Sequence, residues 1–360
     1  MKRLTHKAEE ALLGAALFRP ETLTSLRWIP EGAFSQPDRQ ELWKTLNSID
    51  WTQVSRSDIP QTVSRAVDRI EDPGIRQLLT PSKLGQLVDA CPNLSSAPLY
   101  GGMTLEAAIH RSVEHAGQHL RQTARTTDID QAHQALDQAA RTGDRFKALD
   151  DAWRAAPDMV RTLLDTEPEQ PVQTAPRTER ARTDLQAEVD TVASLMHEPR
   201  QMADVKNWLR RDDFSHPQLG SVYEAIRTLD ERHAPIDPLT VAWEAQRHPG
   251  PQPSDHVLDQ VEEYGTSGPD AFYAGERLLH TSALDRLDQS GHDIRNLARH
   301  PGLAPGALVD HADRALQTVH TDHERIQHTR EPELAADKEP APGGPVRTPE
   351  LAATDTEMEI

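Results

Sequence analysis

The sequence predicts an all-α protein of two tandem helical domains, and three observations carry that prediction. Apolar residues recur three and four apart along most of the chain, and runs of alternating β-branched residues are missing. Two segments also repeat at an offset of 180 residues: Trp28, Phe34, Ser35, Pro37, Trp43 and Leu46 stand at the same mutual spacing as Trp208, Phe214, Ser215, Pro217, Tyr223 and Ile226. Aromatic residues make up only 4% of the chain, so re-use of scarce large side chains at one register marks an internal duplication in which each copy packs the same small helical core.

In the first copy, Leu12, Ala15, Ala16 and Leu17 form an opening helix that stops before Pro20; in the second, Thr183-Asp184-Leu185-Gln186 reads as a capping box ahead of Val189, Val192 and Met196. Ser35-Gln36-Pro37-Asp38 and Ser215-His216-Pro217-Gln218 then open the next helix, with Ser as the expected cap and Pro in the first turn. The helices that follow bury Leu42, Trp43 and Leu46, or Val222, Tyr223, Ile226 and Leu229. Asp237-Pro238 is a further start signal, leading into Leu239, Val241, Ala242 and Trp243. From Ala271 to about Ala298 runs a long helical pattern, broken by Pro301-Gly302-Leu303-Ala304-Pro305-Gly306 and followed by Leu308, Ala312, Leu316 and Val319. Residues 271–319 therefore read as a helical hairpin, with a weaker equivalent in Leu105 to Leu120 and Ala132 to Trp153.

This places one helical domain at 4–160, with an apparent insertion at 47–80, and a second at 185–320. Residues 161–184 are polar and Pro-rich and read as a flexible linker; 321–360 are acidic, Pro-rich and free of aromatic residues and read as a disordered tail. The hydrophobic fraction of 36% and the 27 Pro residues fit modest cores joined by such stretches. Cys91, the single cysteine, allows no internal disulfide and no Cys-based zinc site, which fits a reducing cytoplasm. Glu9 and Glu10 interrupt what would otherwise resemble a signal peptide, and no stretch approaches the roughly 20 apolar residues that span a bilayer. A soluble, cytoplasmic chain is expected.

The run Ala8-Glu9-Glu10-Ala11-Leu12-Leu13-Gly14-Ala15-Ala16-Leu17, then Pro20, Phe34, Pro37, Trp43 and Leu46, resembles the opening of the N-terminal domain of DnaB-type replicative helicases. In the second copy, Ala234-Pro235-Ile236-Asp237-Pro238-Leu239-Thr240-Val241 is similar to the family's Pro-Ile-Asp-x-x-Thr-Val segment, and Ala271-Phe272-Tyr273-Ala274 to the aromatic start of its hairpin. The resemblance implies an all-α domain that pairs through its hairpin, builds the N-terminal ring of the helicase and docks the C-terminal domain of primase. The chain departs from the helicases in one respect that bears on activity. No Gly-x-x-x-x-Gly-Lys-Ser/Thr stretch, and no Gly-Lys pair, is present to cradle nucleotide phosphates.

The expected function is accordingly a bacterial, non-catalytic interaction protein of DNA replication that docks primase or the replicative helicase; the alternative is a motor-less component of a helicase complex whose ATPase is on another chain. Phe272, Tyr273, Leu279, Leu316, Arg210 and Arg211 are the candidate partner-binding residues. A linker of about 20 residues spans roughly 25 Å, enough for the two hairpins to pair within one chain as a pseudo-dimer. No cofactor or metal is expected: His110, His115 and His119 beside Glu114 complete no ligand set, and Asp212-Asp213 and Asp150-Asp151 read as solvated helix ends. A net charge of −19 opposes phosphate backbones, and the short basic segment of Arg177, Arg180, Arg182, Lys206, Arg210 and Arg211 is the one local exception.

Overall fold

The computed structural model describes residues 2–165, 180, 182–248, 250–264, 270–300 and 302–336, and these form helices and turns with no strand among them. The first half runs through α1 (Lys2–Phe18), α2 (Pro37–Asn47), α3 (Ile59–Val67), α4 (Pro73–Leu78) and α5 (Pro81–Asp89) into a hairpin of α6 (Ala97–Thr126) and α7 (Ala132–Arg154), closed by α8 (Asp158–Leu164). The second runs through α9 (Leu185–His197), α10 (Met202–Val205), α11 (Pro217–Glu231), α12 (Pro238–Ala245) and α13 (Asp255–Tyr264) into a hairpin of α14 (Ala271–Ala298) and α15 (Pro305–Ala336).

The local core is the same in both halves. Phe34 and Trp43 lie with ring centroids 5.3 Å apart, Phe214 and Tyr223 with theirs 5.2 Å apart. Trp43 Nε1 donates to the carbonyl of Ile29 (3.3 Å), and the Tyr223 hydroxyl donates to that of Leu209 (3.0 Å), one indole exchanged for one phenol at equivalent positions. Burial pushes the Tyr223 phenol well above its ordinary pKa. The serine ahead of each Pro-initiated helix is not the cap that the sequence suggests. The N-cap residues are Gln36 and His216, whose side chains make no cap bond. Instead a fully buried carboxylate from the preceding helix reaches across: Glu9 accepts the Ser35 amide (2.8 Å) and hydroxyl (2.9 Å), and Glu188 accepts the amides of Ser215 (2.7 Å) and His216 (2.9 Å) and the Ser215 hydroxyl. Each carboxylate thus satisfies orphan N–H groups at a helix start and offsets its own desolvation. Asp184 caps α9 through Ala187 N–H (3.1 Å), and Asp237 caps α12 through Leu239 and Thr240 (2.9 and 3.0 Å).

Within residues 47–80, α3 has a counterpart in the second half and α4 has none among the described residues. α3 packs on α2 as α12 packs on α11, and α5 packs on α1 as α13 packs on α9. The α1–α5 contact is close enough that a Cβ on Gly14 would lie 2.0 Å from the Leu87 carbonyl oxygen. The correspondence is hidden in the sequence because the helix starts differ: α3 opens at Ile59-Pro60 behind Asp58, whose side chain makes no cap bond, where α12 opens on Asp237 ahead of Pro238. The boundaries at the ends also shift. Helix α8 carries the first half beyond residue 160 and packs Val160 and Leu164 on Gly102. Most of the linker reading (166–179 and 181) and residues 337–360 of the tail reading lie outside the described residues, whereas 321–336 continue α15, with Asp322, Arg325, Ile326 and Thr329 buried.

The two hairpins pair. α6 runs antiparallel to α14 and α7 antiparallel to α15, and Leu105, Ile109, Val113 and Leu120 share one buried cluster with Leu284, Leu287, Ile294 and Leu316. The crossing point of α6 and α14 is a pair of glycines. A Cβ on Gly117 would meet Arg295 N and Gly291 O at 2.7 Å; one on Gly291 would meet Gly117 O at 2.7 Å and Arg121 N at 2.9 Å. Each glycine faces the other and the residue four beyond it, so the contact is reciprocal, as across a two-fold axis. On opposite sides of the crossing, Gly101 and Gly275 make room for the rings of Trp28 and Trp208, respectively. At about 1.5–3 kcal/mol per buried Leu or Ile, this apolar seam outweighs rim pairs such as Arg299–Glu114 (2.7 Å, half-exposed), worth about 0–1 kcal/mol each.

Gly117→Ala or Gly291→Ala should therefore destabilise the chain by about 1–3 kcal/mol in urea unfolding followed by circular dichroism, through backbone overpacking. Gly143→Ala, whose added Cβ meets only side-chain atoms at 3.9 Å, should be neutral or stabilising by up to about 1 kcal/mol, the gain in helix propensity.

Candidate functional site

The turn between α10 and α11 joins the second head to its hairpin through a buried ionic node. Asp213, 1% exposed, accepts the Arg210 amide (2.8 Å), the Ser282 hydroxyl of α14 (2.9 Å), Arg286 Nη2 of α14 (2.8 Å) and Arg325 Nη2 of α15. Asp322 accepts from the same two guanidiniums, from Arg286 Nη2 at 2.9 Å and Arg325 Nη1 at 2.8 Å, while Arg325 Nε donates to the Trp208 carbonyl (2.7 Å). Two carboxylates and two guanidiniums cancel in charge. Burial alone would raise the Asp213 carboxyl, but Arg286 and Arg325 more than offset it and hold the group below the usual carboxylate range. Burial works against the Arg286 charge, and Asp213 and Asp322 more than restore it, holding its pKa above the ordinary value. Asp213 is thus no solvated helix end; the sequence shows an acid pair, not the two arginines that fold onto it.

The structure separates the six candidate partner-binding residues. Phe272 and Tyr273 come together at the start of α14, Phe272 edge-on to Trp208 (5.7 Å, 84°) and to Tyr273 (5.7 Å, 89°), with Tyr273 67% exposed. Leu279 and Leu316 are fully buried, which removes them from any docking surface. Arg210 is exposed, whereas Arg211 donates to Ser221 Oγ (3.2 Å) and packs against Gly250, whose φ of +136° only glycine adopts readily. Two further members of the basic segment are engaged by backbone carbonyls: Arg180 donates to those of Asp212 and Asp213 (3.2 Å each), and Arg182 to that of Arg125 (2.8 Å).

His115 and His119 are exposed, while the His110 ring is buried between the carbonyls of Ala298 (2.8 Å from Nδ1) and Leu303 (3.3 Å from Nε2), tying α6 to the α14–α15 turn. No group of three or more candidate ligands comes together among the described residues. Burial pushes the half-buried Cys91 thiol up, away from the thiolate that reactive cysteines need. The sequence reading missed Leu239 and Trp243, 77% and 64% exposed on α12. That short helix is apolar on nearly every face, and only Val241 and Ala245 of its apolar residues are fully covered.

Together these features describe, among the described residues, an all-α assembly of two heads held by one hairpin pair. Residues 180–267 match the family model described as DnaB-like helicase N terminal domain, and this segment is a DnaB-like N-terminal domain. It covers the second head from the linker end to α13 and stops short of the hairpin. No curated protein and no solved structure matches the chain. No helix among the described residues is long and apolar enough to cross a membrane.

The node gives a pH-dependent prediction. Because the folded pKa of Asp213 is depressed, its stabilisation is fully present above the unfolded value of about 3.9 and is lost as pH falls through the lower folded value. Asp213→Asn should cost about 3–5 kcal/mol at pH 7, by leaving two buried guanidiniums underpaired, and the gap between variant and wild type should narrow below about pH 4 in urea titrations.

Proposed function

We propose that this chain is a non-catalytic interaction protein of DNA replication, built from two DnaB-N-terminal-like domains, that docks the C-terminal domain of primase or the replicative helicase. The observation that carries the reading is the reciprocal pairing of α6 with α14 and α7 with α15 next to a segment that matches the helicase N-terminal domain. On this reading the repeated core marks a tandem duplication, and the chain supplies to itself the hairpin partner that helicase subunits supply to one another. The hairpin faces are then already occupied, so a partner meets the heads and the outer surface of the pair. Docking of bacterial replication proteins places the chain in the cytoplasm, and its charge of −19 leaves direct contact with nucleic acid weak. The sequence supplies no phosphate-binding loop, so unwinding activity belongs to the partner.

The test is isothermal titration of the full chain with the host's primase C-terminal domain and with its replicative helicase, at two salt concentrations, alongside an ATPase assay. Saturable binding to either and no ATP hydrolysis by the chain alone are expected. Heat with neither partner removes the replication assignment; a chain that is silent alone but raises the turnover of an added motor subunit points instead to a component of a helicase complex.

A further inference from the structure

The second head carries an exposed apolar face that neither its own core nor the hairpin pair uses. Leu239 and Trp243 stand four apart on α12, on one side of the helix, and are mostly exposed, while Val241 and Ala245 turn inward. Ala242 and Gln246, on the same side, form one wall of a hollow of about 450 Å³, and Pro253, Asp255 and Leu258 form the other. Along α13 the face that holds Leu258 also carries Asp255, Asp259 and Glu262, all exposed and none joined to a cation among the described residues. The nearby arginines are engaged elsewhere: Arg232 lies 3.0 Å and Arg247 3.8 Å from the buried Glu244. The result is an apolar floor bordered by uncompensated negative charge. The fold does not demand it, since α3, the counterpart of α12, exposes no large apolar side chain.

We propose that this face of α12 and α13 docks a basic amphipathic helix of another protein, its apolar stripe on Leu239 and Trp243 and its Lys or Arg residues opposite Asp255, Asp259 and Glu262. Two anchors one helical turn apart beside a groove suit a helix, whose own apolar residues recur at that spacing, and Trp is the residue type most often dominant at an interface. Charge selects among occupants. A second copy of this chain would set the same three acids against themselves, and nucleic acid or an anionic membrane would meet a chain of net charge −19. The inference stands independently of the replication assignment, because any helix of this chemistry meets the requirement.

The experiment titrates the full chain into a fluorescent synthetic peptide of about 20 residues, Leu on one helical face and Lys on the other, read by anisotropy, beside a peptide with Glu in place of Lys. Saturable binding of the Lys peptide is expected, weakened about tenfold or more by Leu239→Ala/Trp243→Ala and by Asp255→Asn/Asp259→Asn/Glu262→Gln, with no binding of the Glu peptide. The substituted side chains are exposed, so the variants should melt within a few degrees of the wild type. Absence of Lys-peptide binding overturns the proposal, as does binding that survives both sets of substitutions, which marks unspecific attraction to an acidic chain, or equal binding of the Glu peptide. Self-association lost on Trp243→Ala overturns it in favour of a second copy. A positive result here with silent titrations against primase and helicase retains this site and removes the replication assignment alone.

Discussion

Everything in the hairpin pair depends on how closely two helix backbones approach at Gly117 and Gly291. With any side chain at either position, the 2.7 Å gap from a Cβ to the opposing backbone could not exist, and α6 and α14 would have to separate along their length. The close approach sets the depth at which Leu120 and Ile294 enter the shared core and the distance at which Arg121 and Arg125 reach Asp288 (3.3 and 2.8 Å). Glycine costs each helix about 1 kcal/mol in propensity, and the buried seam it permits returns several times that.

The heads attach to this pair in different ways. The second is fastened by charge: Asp213 receives guanidiniums from both helices of the hairpin, so the turn at 210–213 cannot move without unpairing buried ions. The first is fastened by shape and one arginine. Gly101 admits Trp28 and Ile29 on α6, and Arg111 reaches back to the Ala33 carbonyl (2.6 Å) and to the buried carboxylate of Glu9 (3.7 Å). Apolar contact and a single arginine carry the first junction and a buried network of two carboxylates and two guanidiniums carries the second, although both heads repeat the same aromatic pair and carboxylate-held serine.

What the sequence made legible follows from this division. Helices, hairpins and the aromatic cores rest on period and on scarce large residues, which are visible one position at a time, and Asp237 caps its helix as its placement before Pro238 indicates. Glu9 and Glu188 were invisible as helix caps because their partners lie some 26 to 28 residues away, and a lone Glu in an amphipathic helix looks like a solvated one. Asp213 and α15 beyond residue 320 failed for the same reason: Asp322 and Arg325 lower the apolar content of the segment while being buried by each other. Leu316 was legible as apolar but not as covered, since α7, which lies against it, comes from the other half of the chain.

The reciprocity of the hairpin pair coexists with heads that are no longer equivalent. In a homodimer every surface patch occurs twice, because one gene writes both subunits. Here the two sides of the pair are written separately, and Leu239 and Trp243 on α12 have no exposed equivalent on α3. Joining the halves in one polypeptide therefore converts a symmetric scaffold into one that presents this face a single time, with a stoichiometry of one where the symmetric arrangement would impose two.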